Sequence, residues 1–102
     1  MRVRFFAYIR NFTKCAEADI PYKETIGALA RSLCDLYGDA LRQKIFPSGD
    51  SNGKLADGDE ENEFGPEIIF LINGRHVTHL GGTAAPLKPD DRVDIFPVVA
   101  GG

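Results

Sequence analysis

The chain has no tryptophan, one methionine and only two cysteines among its 102 residues. Cys15 and Cys34 fit neither a Cys-x-x-Cys motif nor a zinc-ligand spacing, so we expect neither a disulfide-rich scaffold nor a structural metal site. The longest strictly apolar run, residues 68–72, is far shorter than the roughly 20 residues that a membrane-spanning helix requires. No signal peptide is evident near the amino terminus. The sequence therefore predicts a cytoplasmic protein with reduced thiols and no membrane association.

The sequence also lacks a basic stripe. The formal net charge is -3, and residues 47–65 hold six acidic residues and one lysine, a net charge of -5. The remainder is nearly neutral, which gives no electrostatic footprint for nucleic acid and no polybasic membrane patch. Because residues 47–65 are rich in glycine and poor in apolar residues, we expect an acidic loop there, inserted into a single domain over residues 1–97.

Hydrophobic periodicity predicts the elements of the first half. Alternating apolar residues indicate a strand over residues 2–10, and residues 15–20 are a candidate hairpin partner. Thr25 is a suitable N-cap for a helix that ends at Gly38, with Cys34 on its buried stripe. A short helical piece over residues 39–46 follows.

In the second half, residues 67–72 form the strongest predicted strand. Asn73-Gly74 is the preferred type I′ hairpin pair, residues 75–77 return, and residues 92–96 form the last strand. One main helix can cover one face of a mixed sheet of about five strands, with the first and last strands adjacent in the middle. The predicted fold is α+β, in the β-grasp (ubiquitin-like) arrangement.

No catalytic apparatus is visible. His76 and His79 lie in a segment predicted to be extended, where positions i and i+3 point to opposite faces and do not share a metal. No phosphate-binding loop or nucleophile motif occurs. We therefore expect no enzyme activity of its own, no metal site and no bound cofactor.

The end of the sequence is more informative. Residues 98–102 form a tail after the last strand, and its final residues are Gly101 and Gly102. Without Cβ atoms, such a tail can thread a narrow channel and present its carboxylate to a nucleophile. A carboxylate is a poor electrophile, so another enzyme would have to activate it. The alternative is a frayed terminus.

Three blocks of sequence resemble the MoaD/ThiS family of ubiquitin-like sulfur carriers, most of all its molybdopterin synthase small subunits. They are Val3-Arg4-Phe5-Phe6-Ala7 with Arg10, Asn73-Gly74-Arg75, and Asp91-x-Val93-x-Ile95-Phe96-Pro97-x-Val99-Ala100-Gly101-Gly102. The resemblance covers the chain except for residues 47–65.

This resemblance implies a function for the tail. An E1-like adenylating enzyme would use ATP to activate the carboxylate of Gly102, beside Gly101, and a sulfur donor would displace AMP to leave a thiocarboxylate. In the molybdopterin branch, the tail would enter the large subunit of molybdopterin synthase and deliver sulfur to precursor Z. The resulting dithiolene later holds molybdenum or tungsten.

Strand parity predicts a second site on the sheet face away from the helix. The side chains expected there are Phe6, Tyr8, Ile69, Leu71 and Phe96, flanked by Arg2, Arg4 and Arg92. Uncovered apolar patches on small proteins usually mark interfaces. We expect Phe6, Leu71 and Phe96 to dock the activating enzyme and the large subunit; the alternative is that the acidic loop or the tail covers them.

Other functions remain open at this point. The chain could carry sulfur for cysteine, thiamine or another metabolite, or it could be a ubiquitin-like modifier that is joined to lysines. A plain β-grasp interaction module with an incidental diglycine is the third alternative.

Overall fold

The computed structural model describes residues 1–47 and 64–98. Structural statements below concern that part of the chain. The acidic loop predicted over residues 47–65 lies outside the described residues except at its two ends. Gly101 and Gly102 also lie outside them.

Five strands and three α-helices make up the described part. The strands are β1 (Arg2–Phe5), β2 (Glu17–Asp19), β3 (Ile68–Ile72), β4 (Arg75–His76) and β5 (Val93–Pro97). The helices are α1 (Ile9–Thr13), α2 (Ile26–Tyr37) and α3 (Asp39–Ile45). The sheet order is β2-β1-β5-β3-β4, with β1 and β5 parallel and the other neighbours antiparallel. This mixed sheet, with the first and last strands adjacent at its centre, confirms the predicted α+β architecture. No helix in residues 1–47 or 64–98 is long and apolar enough to cross a membrane.

Alternation along the strands decides which sheet face is buried. On the face toward α2, Val3 and Phe5 of β1 pair with Val93 and Ile95 of β5, and all four are buried. Phe70 of β3 lies opposite Ile95 and completes this layer. Burial of such an apolar layer contributes most of the favourable free energy of folding.

Helix α2 covers that layer and begins and ends where its sequence predicts. The Thr25 hydroxyl accepts a hydrogen bond from the Ala28 N–H at 3.2 Å, which satisfies one of the free N–H groups of the first turn. Gly38 ends the helix at a φ of 97°, and its N–H donates to the Cys34 carbonyl. The apolar stripe from Ile26 to Cys34 faces the sheet and is buried.

The Asn73-Gly74 turn also forms as predicted. Both residues have positive φ values, 52° and 84°, which match the right-handed twist of the strands that they join. The Asn73 side chain accepts from the Arg92 N–H and donates to Asp91, so the turn is tied to the start of β5.

The prediction of one long strand over residues 2–10 is wrong. Strand β1 ends at Phe5, Ala7 adopts a φ of 52°, and the chain continues into α1. Ile9 is buried, as the period-two pattern suggested. It is buried as part of a helix, however, where Ile9 and Thr13, four residues apart, lie on the same face. The predicted strand therefore keeps only its first half, and Ile9–Thr13 are helical.

The two ends of the acidic segment are fixed to the core. The Gly65 N–H donates to the Ile45 carbonyl at 2.8 Å, which joins the segment's far end to α3. Phe64 stacks on Phe46 and on Phe70, with ring centroids 5.6 and 4.3 Å apart. The two described ends of the segment thus lie next to each other.

Replacement of the α2 cap should destabilise the fold measurably. Thr25→Ala removes the hydroxyl acceptor and is expected to lower the free energy of unfolding by about 1 kcal/mol, whereas Thr25→Ser keeps the acceptor and should stay close to wild type. Urea denaturation followed by circular dichroism measures both. Equal loss in the two variants would contradict a capping role.

Burial should also make Cys34 unreactive. Burial raises the pKa of the Cys34 thiol to about 12, so the thiol stays protonated at pH 8 and lacks the nucleophilic thiolate. Iodoacetamide should label Cys34 about a thousandfold more slowly in native protein than in urea, as expected from the loss of thiolate. Half-buried Cys15 is the internal comparison in the same mass spectra. Equal labelling of Cys34 in both states would show that this site is open.

Candidate partner interface and the root of the tail

Two aromatic rings stack on the sheet face away from α2. Phe6 follows β1 directly, where its N–H donates to the Ile95 carbonyl at 3.0 Å, and Phe96 is the next residue of β5. Their ring centroids are 4.2 Å apart and their planes differ by 8°. Both residues are only half-buried, so the stack presents apolar surface to the outside. The sequence prediction that Phe6 and Phe96 share this face is confirmed.

Beside the stack lies a charged cluster in which Arg4 and Arg92, both predicted to flank this face, meet Asp94, which the sequence prediction did not identify. Asp94 accepts hydrogen bonds from Arg4 Nε at 2.7 Å and from Arg4 Nη2 at 3.1 Å. Arg92 Nε is 3.6 Å from the second carboxylate oxygen. The Arg4 guanidinium also lies 5.3 Å from the centroid of the Phe6 ring, within cation–π range. Hydrogen bonding to Asp94 raises the pKa of Arg4, so the guanidinium stays positively charged at physiological pH.

The third predicted interface residue, Leu71, lies on the same face at a different position. It is half-buried and pairs with Asp94 across β3 and β5, whereas Ile69 is the residue opposite Phe96. Ile69 is therefore the closer extension of the stack. The period-two alternation of β3 predicts both as outward residues, but it does not say which one neighbours Phe96, because that depends on the register with β5.

Tyr8, which was predicted on this face, belongs to no strand. It occupies the N-cap position of α1 without a side-chain capping hydrogen bond, and it is exposed. The break of β1 after Phe5 removes it from the period-two series.

Val98, the first residue of the tail, lies at the end of β5 next to the stack. The Val98 N–H donates to the Glu67 carbonyl at 2.9 Å, so β5 stays paired to the chain before β3 for one residue beyond Pro97. Lys44 Nζ contacts Glu67 Oε2 at 2.8 Å, and this hydrogen bond raises the pKa of Lys44. Four residues follow Val98, and an extended chain of that length spans at most about 14 Å.

A groove of about 610 Å³ lies next to Val98, where the tail begins. Residues of β3 and of the segment that follows it line this groove. Its described lining is mainly apolar and includes Phe64, Ile68, Phe70, Val77, Gly82 and Val98. His76 also lines the groove, and it is the one titratable side chain in the described lining. This composition suits apolar contacts and provides no set of converging acid and base groups.

The two histidines do not lie as predicted. Residues Val77–His79 form a 3-10 turn instead of an extended segment, and the rings of His76 and His79 meet edge to face with centroids 6.2 Å apart. His76 Nδ1 accepts from the Thr78 N–H at 3.2 Å, which closes this turn. Within residues 1–47 and 64–98, no group of three or more His, Cys, Asp or Glu side chains is placed to hold a metal ion.

Comparisons with a family model and with a related protein agree on one family. The model of the ThiS family matches residues 3–102. Small archaeal modifier protein 3 from Haloferax volcanii is 34% identical over 104 residues, which cover 100% of this chain and 98% of the relative.

Solved structures agree on the fold. The solution structure of small archaeal modifier protein 1 from Methanosarcina acetivorans matches with a TM-score of 0.80 and 32% identity, and covers 99% of this chain and 94% of its own. The crystal structure of the Amycolatopsis orientalis BexX/CysO complex matches with a TM-score of 0.72 and 18% identity, over 99% and 98% of the two chains. That second likeness concerns the fold alone.

The family model covers almost the whole chain, and a relative that is 34% identical matches all of it. These matches agree with the five-stranded mixed sheet and with the three blocks of sequence around β1, the β3–β4 turn and β5. The chain therefore belongs to the ThiS family, whose members are small ubiquitin-like sulfur carriers or modifiers and are not themselves enzymes.

Proposed function

We propose that this protein carries sulfur as a thiocarboxylate on Gly102 and donates it in molybdopterin synthesis as the small subunit of molybdopterin synthase. The Gly102 carboxylate would attack the α-phosphate of ATP in an E1-like enzyme, with pyrophosphate as leaving group. A sulfur nucleophile would then displace AMP and leave the thiocarboxylate. The large subunit would receive the tail and catalyse transfer of that sulfur to precursor Z.

The observation that carries this proposal is the way in which β5 runs into the tail. The hydrogen bond from Val98 to Glu67 holds the strand up to its last described residue, and Gly102 is four residues further along the sequence. A reactive group on Gly102 would thus stay within about 14 Å of the folded domain. A partner that accepts it must contact this end of the sheet.

The exposed face of the sheet supports a role in docking. Phe6 and Phe96 offer a preformed aromatic surface beside β5, and interface hot spots are enriched in aromatic and arginine side chains. We assign Phe6, Leu71 and Phe96 to contact with the activating enzyme and the large subunit. Because both partners must reach the same tail, we expect them to compete for this face.

A second candidate function is protein modification. Two relatives at 34% and 32% identity are named small archaeal modifier proteins. In that case the Gly102 adenylate would pass its acyl group to a lysine amine, with an isopeptide bond as the product. Activation by adenylation is common to both functions, and the acceptor of the acyl group distinguishes them.

Intact mass of the protein from its own cells separates the two. Under conditions that protect a thioacid, a sulfur carrier should gain the mass difference between sulfur and oxygen, located on Gly102 by fragmentation. A modifier should instead yield peptides with Gly102 joined to lysine. The variant lacking Gly101 and Gly102 is the control, and it should show neither product. Full cellular function of that variant would instead favour a plain interaction module.

Removal of the aromatic stack should weaken docking without unfolding the domain. Phe96→Ser and Phe6→Ser are expected to lower affinity for the adenylating enzyme by about 2 kcal/mol each, roughly 30-fold, since both remove an aromatic anchor. Leu36→Ser, at an exposed apolar residue of α2, is the matched control and should bind normally. Unchanged affinity in both Phe variants, with native melting curves, would contradict this interface.

A further inference from the structure

Asp94 is a charged side chain held almost out of water in the central strand β5. Its side chain is 6% exposed, and the strand register places it between Arg4 of β1 and Leu71 of β3. Burying a carboxylate is costly unless charged partners hydrogen-bond to it. Asp94 occupies one of the unspecified positions of the terminal sequence block, so the family resemblance gives it no role.

Two arginines share this one carboxylate. Arg4 makes two hydrogen bonds to it, and Arg92 approaches within 3.6 Å. Glu17 of β2 lies opposite Arg4 and also pairs with Arg2. Three arginines, Arg2, Arg4 and Arg92, against the two carboxylates of Glu17 and Asp94 leave one excess positive charge on this face, on a protein whose formal net charge is -3. A guanidinium has five N–H donors, of which Arg4 uses two on Asp94. The side chains of Arg4 and Arg92 are 39% and 50% exposed, so donors remain accessible.

The Arg4 guanidinium is held in place from two sides. Asp94 fixes it through paired hydrogen bonds, and the Phe6 ring, stacked on Phe96, supports it at 5.3 Å. A side chain ordered in advance loses less conformational entropy when a ligand binds. The cluster is therefore a preorganised donor site at the border of the aromatic stack.

We infer that Arg4 and Arg92 bind a carboxylate side chain of the partner that docks on Phe6 and Phe96, and that Asp94 is the residue that positions them. The inference rests on the proposed function, because the partner binds the same face. The excess positive charge favours an aspartate or glutamate on the partner, and the stack favours an apolar residue next to it. The occupant is thus a protein surface that combines an acidic and an apolar side chain.

Calorimetric binding to the adenylating enzyme and to the large synthase subunit of the same organism tests this inference. Arg4→Gln should lower affinity by about tenfold for at least one of them, the effect of losing one charge-assisted hydrogen bond. Arg4→Lys should not restore it, because an ammonium group cannot reproduce the paired geometry. Arg75→Gln, on exposed β4 at the sheet edge, is the control for the loss of one positive charge and should bind normally.

Asp94→Asn distinguishes positioning from bulk charge. The substitution makes the protein more positive, so long-range attraction alone would tighten binding to an acidic partner. Loss of positioning should instead weaken binding, and it should flatten the dependence of affinity on NaCl concentration. Melting curves accompany every variant. If Asp94→Asn does not fold, the comparison of Arg4→Lys with Arg75→Gln still decides the matter.

Affinities of the Arg4 variants within twofold of wild type for both partners would overturn the inference, as would undetectable binding of wild-type protein. The proposed function has a separate readout, ATP–pyrophosphate exchange that depends on Gly102. Arginine-dependent binding without exchange would support the docking site and count against the proposed chemistry.

Discussion

The parallel pairing of β1 with β5 is the contact on which the rest of the molecule depends. It joins residues about 90 positions apart and places Val3 and Phe5 level with Val93 and Ile95 in one buried layer. Because side chains alternate along a strand, the same register sets Arg4 beside Asp94 on the opposite face. A shift by one residue would turn the apolar layer outward and separate the ion pair. The core and the candidate interface are thus two consequences of a single alignment.

The mixture of charged and aromatic residues on the outer face of the sheet can be explained by the fact that the fold has one main helix. Helix α2 covers the inner face, and within residues 1–47 and 64–98 no second helical layer packs on the outer one. A central strand with one face toward water tolerates charged residues there, provided that they are paired. Asp94 and Arg4 meet that condition at hydrogen-bond distance, and Phe6 and Phe96 reduce their exposed area by stacking. The result, among the residues that the structure describes, is a face whose charges are paired and whose aromatic surface is still half-exposed.

The parts of the fold that the sequence predicts are those set by local physics. Thr25 caps its helix, Gly38 ends it, and Asn73-Gly74 turns the chain, because each residue type satisfies a conformational requirement of its own backbone. What could not be predicted depends on distant contacts. Ile9 suits a strand or a helix equally, and the choice is made at Ala7, where the chain turns away from β5. Likewise, opposite charges at Arg4 and Asp94 become an ion pair only once the β1–β5 register is known.

In the proposed function, recognition and chemistry would be coupled because one strand would serve both. Asp94 and Phe96 of β5 build the outer face, and Val98 begins the tail two residues later. A partner that binds the stack therefore also fixes the position of Val98 relative to the partner. The few residues after Val98 can then reach only a small volume around that point. Under the proposal that Gly102 carries the reactive group, such an arrangement would limit which active sites can receive it. Discrimination among acceptors can then come from the shape and charge of the docking face, while the tail itself, short and without side chains at its end, contributes little selectivity.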